Sequence, residues 1–373
     1  TNVNTNMGFK WRTFTIDTIS PCLPGVVIKS VSKEIEVKKG DDESSWAFVY
    51  SLNVNDVRDN CLRFIVKRVK KPSKLSQNTD KFQSMIKSYS NEISFYLHHL
   101  TDYDQKLSLP KIWSSNANER AGTFTLLLSD ISERFNIRYT NLNLPDVEVY
   151  KALDFLSSFH ARNWEMNETY DESLLFKRGG ICAAFEDEER MKKIEDPWDR
   201  LRDAASGISN RVFNGGRRKH RTIVHGDFRK SNILFNGSQC TAVDYQFSGY
   251  GYGMIDVVTL ICSSVDSLIA SQNEENYIKY YFQSLNTKLR ELRRPPLPPG
   301  FKLADAHTQY EICFLDYCRF YCVEENFGCE SRNNDSYLRR RCTDLLDSLC
   351  VGFTEDLSPA EWTAAIYRRW PAS

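Results

Sequence analysis

The sequence predicts an α+β chain in two lobes: an antiparallel β-sheet lobe with one main helix, followed by a mainly helical lobe. Two observations predict it. β-Branched and aromatic residues crowd between Val26 and Val69, interrupted by turn-like Gly40–Glu43 and Asn55–Asn60. Beyond Glu133 the apolar residues recur mostly at helical spacing. The chain has 373 residues, 41% of them hydrophobic, enough to build a large core. The lobes are expected at 1–128 and 129–373, with the change of character near Leu128–Glu133.

Each element has its own signature. Ile35–Val37, Trp46–Val54 and Leu62–Val69 read as strands. A loop from Lys70 to Asp80 precedes a helix whose apolar stripe runs through Phe82, Met85, Ile86, Tyr89, Ile93, Tyr96, Leu97 and Leu100. Glu92 sits on that stripe and is expected to face inward. Phe124–Leu128 reads as a strand leading into Ser129–Glu133. Val149, Leu153, Leu156, Phe159 and Asn163 mark one later helix, and Tyr277, Tyr281, Leu285 and Leu289 another. The second stops at Arg293–Pro299, whose prolines read as a stiff connector. The aromatic runs Tyr277, Tyr280, Tyr281, Phe282 and Tyr310, Phe314, Tyr317, Phe320, Tyr321 are expected to serve the core before any pocket.

Charge and composition exclude several classes. The 22 Phe, 18 Tyr and 7 Trp exclude a disordered chain. With 49 basic against 49 acidic residues, the cation excess that a nucleic-acid partner demands is missing. The apolar runs at Leu126–Leu128 and Val257–Cys262 are too short to span a bilayer. Eleven cysteines without an export signal read as reduced thiols, and a cytoplasmic location is expected. Cys313, Cys318, Cys322 and Cys329 are spaced too widely for paired zinc knuckles and read as packing residues on a helix. The run Arg217–Arg221 reads as a solvated loop before a strand. No obligate protein partner is expected.

The chemistry concentrates in Thr222–Phe235 and Thr241–Gln246. Two apolar strands flank a polar loop, and each delivers a carboxylate at its end. Phosphoryl transfer needs one carboxylate to orient a hydroxyl and take its proton, and an Asn with a second Asp to hold magnesium against phosphates. Asp227 fills the first role; Asn232 and Asp244 fill the second, offering the oxygen ligands that Mg²⁺ prefers. Lys67, in the third strand, and Glu92, on the helix after it, are spaced as a phosphate-gripping lysine and the glutamate that positions it.

These residues resemble a known family. His225-Gly226-Asp227, Asn232–Phe235, Val243–Gln246 and Gly253–Val257 look like the ecdysteroid-kinase-like (CHK-kinase-like) family, related to choline kinases and aminoglycoside phosphotransferases. Glu92–Tyr96, Leu126–Asp130 and Ser158–Ala161 resemble that family's helix, hinge and Phe-His-Ala segments. The resemblance implies a bilobal protein-kinase-like fold, ATP and Mg²⁺ as cofactors, and a nucleotide site that includes Ser129 and Asp130. It also implies that Ser44 and Ser45 touch the nucleotide phosphates, from the covering loop Gly40–Ala47. Two positions depart from the family. Ser129 stands where the hinge usually carries an acid, and Arg229 where Trp is common; Arg229 is expected to stabilise the transferring group.

The short segment Tyr245–Ile255, with three glycines, leaves no room for a peptide-docking loop, so the acceptor is expected to be a small molecule. Gln246 stands where Asp-Phe-Gly kinases have glycine, and should keep Asp244 from flipping out. Asp256 has two readings: a brace accepting catalytic-loop N–H groups, or an N-cap of the next helix. His160 and His225 read as structural. The expected activity is transfer of the γ-phosphoryl group of ATP to a hydroxyl of a steroid or other lipophilic alcohol. The alternatives are a choline/ethanolamine-type or aminoglycoside-type kinase, or a catalytically weak nucleotide-binding module.

Overall fold

The computed structural model describes residues 15–38, 47–70, 80–99, 107–165, 174–184, 199–213, 220–292, 302–323, 335–350 and 357–371. Two compact units divide the chain, Thr1–Phe135 and Asn136–Ser373. The expected α+β class is found, with an antiparallel sheet in the first unit and mainly helices in the second.

In the first unit β1 (Ile28–Lys38), β2 (Ala47–Asp56), β3 (Cys61–Lys70), β4 (Ile112–Asn118) and β5 (Thr123–Ser129) form an antiparallel sheet in the order β1-β2-β3-β5-β4. The first strand is longer than the expected Ile35–Val37, and β4 has no counterpart in the sequence reading. Its Trp-Ser-Ser-Asn-Ala-Asn run carries few β-formers and is recruited by pairing with β5. Asp56 makes the β2–β3 turn: Oδ1 accepts from Arg58 N at 2.8 Å and Asn60 N at 2.9 Å. The Asn60 side-chain amide, followed by those backbone bonds, holds the Asp56 carboxyl below its usual range.

Helix α2 (Asp80–Ser94) carries the expected stripe from Phe82 to Ile93 and runs into a π-helical turn, Phe95–His99, that holds Tyr96 and Leu97; Leu100 lies outside the described residues. Tyr89 packs on Phe124 with ring centroids 5.6 Å apart. Before β1, the short helix α1 (Ile16–Ile19) and the turn Ser20–Cys22 place Ile19, Cys22 and Leu23 in one cluster with Leu52, Val54, Phe64, Val66 and Leu127. These strand residues alternate with Lys67 and Leu126, so the cluster lies on the sheet face opposite Lys67.

The second unit contains α3 (Asp146–Arg162), α4 (Ile181–Ala184), α5 (Asp199–Phe213), α6 (Met254–Ser264), α7 (Ser267–Glu291), α8 (Leu303–Val323), α9 (Asp335–Leu349) and α10 (Pro359–Arg369). Helix α3 packs along α7, and α10 along α5. Asp266 caps α7 by accepting from Leu268 N at 2.9 Å. Four short strands, β6 (Arg221–Val224), β7 (Ile233–Phe235), β8 (Cys240–Ala242) and β9 (Gly249–Tyr252), form two antiparallel pairs, β6 with β9 and β7 with β8. Tyr277, Tyr281, Tyr310, Phe314, Tyr317 and Tyr321 are buried, as core residues should be, whereas Tyr280, Phe282 and Phe320 of the same runs are half-buried. Buried Arg211 of α5 clamps the chain beyond α10, donating to the carbonyls of Trp370 and Pro371 and to the Tyr252 hydroxyl.

One expectation is corrected at the basic run. His220 and Arg221 are buried rather than solvated: Arg221 starts β6, donates to the Val212 carbonyl at 3.1 Å and lies over the Tyr252 ring. A planar guanidinium that stacks and donates at once can be buried without a carboxylate. Arg217–Lys219 and the proline run 293–299 lie outside the described residues. Among the described residues, no helix is long and apolar enough to cross a membrane. Among the described residues no cysteine is joined in a disulfide, and Cys313 and Cys318 are buried on α8; Cys329 lies outside the described residues.

Candidate active site

The polar loop after β6 follows from glycine geometry. Gly226 has φ of +86°, and a Cβ there would stand 2.1 Å from the Phe247 carbonyl oxygen. Only glycine fits. The bend exposes the main-chain N–H groups of His225 and Gly226, and Asp256 in the first turn of α6 takes both, at 2.7 Å and 2.8 Å. Asp256 is therefore the brace; the N-cap of α6 is Gly253.

The histidines serve this brace. His160 Nε2 donates to Asp256 Oδ2 at 2.9 Å, and its Nδ1 accepts from the Tyr281 hydroxyl at 2.7 Å. That assigns the proton to Nε2. His225 packs on Tyr245 at 4.5 Å between ring centroids, and its Nε2 meets the Val243 carbonyl at 3.1 Å. Burial lowers the His225 pKa despite the opposing pull of Asp256, so the ring stays neutral. Both rings are structural, as expected.

The loop then brings Asp227, Arg229 and Asn232 together and ties in the segment that carries Asp244. Asn232 ends a 3₁₀ turn, Lys230–Asn232, and its Nδ2 donates to the Asp227 carbonyl at 2.9 Å and to Asp227 Oδ2 at 3.0 Å. Asn232 O accepts from Val243 N at 3.0 Å, which ties the loop to the segment carrying Asp244. Arg229 Nε lies 3.2 Å from Asp227 Oδ1, with its side chain 43% exposed. Asp244 has φ of +72°, uncommon for a residue with a Cβ, and Gln246 Nε2 donates to its Oδ1 at 2.7 Å. The left-handed conformation thus falls on Asp244 itself, and Gln246 acts through its side chain.

The oxygen chemistry suits Mg²⁺. Asn232 turns its amide nitrogen to Asp227, which directs its carbonyl oxygen away, and Asp244 supplies a carboxylate. Among the described residues no group of three His, Cys, Asp or Glu side chains could hold a metal. An ion that keeps waters and shares substrate phosphates needs no such group.

In the first unit Lys67 Nζ meets Glu92 Oε2 at 2.7 Å, with the residues only 6% and 1% exposed. Lys67 Nζ also lies 5.6 Å from the Tyr89 ring centroid. Ser129 and Asp130 are engaged inside the same unit. Ser129 Oγ accepts from Lys111 N at 2.8 Å; Asp130 accepts from Ser132 N at 2.8 Å and pairs with Arg63 at 3.3 Å. Ser44 and Ser45 lie outside the described residues. The sequence reading did not find Tyr281 as a partner of His160, or Gln246 as a donor to Asp244; an aromatic at core spacing and a lone amide carry no such signal.

Residues 158–294 match the model of the ecdysteroid kinase-like family. That segment holds His160, the loop from His225 to Asn232, Asp244, Asp256 and Tyr281, and the resemblance read from the sequence is found there. The expected enzyme class, a phosphotransferase acting on a hydroxyl of a small molecule, agrees with this match. No curated protein matches the chain. Among solved structures, choline kinase LicA from Streptococcus pneumoniae is similar at 15% identity and a TM-score of 0.47, over 89% of this chain and 97% of that one. Choline kinase from Cryptosporidium parvum Iowa II is similar at 11% identity and a TM-score of 0.48, over 90% and 95%. Amicoumacin kinase hAmiN, solved with AMP-PNP and Ca²⁺, is similar at 12% identity and a TM-score of 0.46, over 85% and 88%.

Proposed function

We propose that the chain is an ATP-dependent small-molecule kinase that phosphorylates a hydroxyl of a steroid-like or other lipophilic alcohol. Residues 1–128 bind the nucleotide, and 129–373 supply the catalytic loop and the acceptor site. Asp227 takes the acceptor's proton, Asn232 and Asp244 hold Mg²⁺, Lys67 held by Glu92 binds nucleotide phosphates, and Arg229 stabilises the transferring group. Bound Mg²⁺ would neutralise charge on the phosphates. The observation that carries this reading is the braced loop, in which Asp256 fixes the backbone of His225 and Gly226 while Asn232 and Arg229 bracket the Asp227 carboxylate. Pre-set geometry of this kind is what phosphoryl transfer asks of a protein.

Charge beside Asp227 favours a neutral acceptor over choline or an aminoglycoside. Arg229 and Lys230 are adjacent cations, and buried Lys230 has no ion-pair partner among the described residues. Free thiols and the lack of a membrane-crossing helix among the described residues accord with a cytoplasmic enzyme.

The test is release of ADP from MgATP across ecdysteroids, lipophilic alcohols, choline analogues and aminoglycosides. Turnover with a neutral alcohol that disappears in Asp227→Asn supports the proposal. Turnover confined to cationic acceptors refutes the substrate class. ATP binding with no turnover on any acceptor points instead to a nucleotide-binding module.

A further inference from the structure

The sheet of the first unit has a polar anomaly on the face that carries Lys67. In the β2–β3 pairing, Val49 faces Lys67, Ser51 faces Ile65 and Asn53 faces Arg63, so these six share one face. The other face of β2 presents Leu52 and Val54, both fully buried. On the Lys67 face Val49 and Ile65 are only half-buried although β2 and β3 are interior strands. Beside them, Ser51 is 7% exposed, its Oγ has no hydrogen-bond partner, and Asn53 Oδ1 has none either. Buried polar atoms are nearly always paired, and leaving two unpaired side by side is costly.

We propose that Ser51 and Asn53 are the side chains that read the nucleotide's base. This rests on the kinase reading above. Val49 and Ile65 offer an apolar platform for a flat ring, and the Ser51 hydroxyl and Asn53 amide offer a donor and acceptors to its edge. Side chains on a strand stand perpendicular to the sheet, so both polar groups project to the platform side. Ser51 is diagonal to Lys67 across the β2–β3 pair, a separation of roughly 7–8 Å between such positions, which suits a base lying beyond phosphates held by Lys67. The side chains of Ser129 and Asp130 are engaged by Lys111, Ser132 and Arg63, whereas Ser51 and Asn53 carry unmatched polar atoms. An Asn amide oxygen suits the exocyclic amine of adenine, so ATP is favoured over GTP.

Calorimetric titration of the full chain with MgATP, MgGTP and magnesium tripolyphosphate tests this. Ser51→Ala and Asn53→Ala should each weaken ATP about three- to tenfold, leave tripolyphosphate unchanged, and leave the nucleotide-free melting temperature no lower. Ser51→Val, which restores bulk without the hydroxyl, should behave as Ser51→Ala. ATP affinity within about twofold of wild type in all three variants, or an equal loss for tripolyphosphate, overturns the inference alone. Failure of the wild-type chain to bind either ATP or tripolyphosphate overturns the kinase reading and this inference with it.

Discussion

Asp256 holds the main chain at Gly226: its Oδ1 accepts the Gly226 N–H at 2.8 Å, while Oδ2 serves His225 N and His160 Nε2. A fully buried carboxylate is stable here because three donors converge on it. Asp256→Asn puts an amide nitrogen against one of those donors. Stability should fall by about 2–4 kcal/mol in urea denaturation. Under the kinase reading, kcat should drop at least about tenfold while KM for ATP stays within about twofold, because the loop presents Asp227 and not the nucleotide. An unchanged kcat would show that the brace is dispensable.

The buried pair Lys67 and Glu92 predicts a non-additive cycle. Lys67→Met removes the buried cation that meets Glu92 Oε2 and should cost about 3–5 kcal/mol, whereas Lys67→Met with Glu92→Leu should recover most of that loss. Under the kinase reading, both variants should lose nucleotide binding. Equal stability of the single and double variants would contradict this.

Gly226→Ala meets the Phe247 carbonyl and a positive φ together. It should cost at least about 3 kcal/mol, read as a lowered melting temperature or insoluble protein. Gly237, where an added Cβ would meet nothing within 4 Å, is the control, and Gly237→Ala should melt within a few degrees of wild type.

His225 predicts acid sensitivity. Its folded pKa lies below the ordinary 6.5 because burial opposes the charge. The unfolded chain therefore binds the proton first as pH falls, and the stability present above about pH 6.5 is lost below it. Unfolding free energies at pH 7.5 and 5.5 should differ more in wild type than in His225→Asn. Parallel losses would assign the effect to other groups.

Much of this was legible in the sequence because the decisive residues sit where local rules apply. The stripe of α2 placed Glu92 inward, and alternation along β3 placed Lys67 opposite Val66; their meeting at 2.7 Å follows once the helix packs on that face. The two readings of Asp256 could not be separated in sequence, since a carboxylate in the first turn of a helix suits either, and only the approach of Gly226 decides. Strand β4 and helix α1 were missed for a shared reason. Neither has a strong local preference: β4 is recruited by its hairpin partner β5, and α1 is held by the strand cluster containing Leu127, far along the chain.

The cluster behind the sheet also sets an order of events during synthesis. Ile19 and Leu23 leave the ribosome long before Leu127, the last member of their cluster, has been made. At ordinary elongation rates the interval is on the order of ten seconds. Through that time these early side chains lack their final partners, so the first unit reaches its native packing only after β5 has emerged, whatever β1 to β3 have already formed.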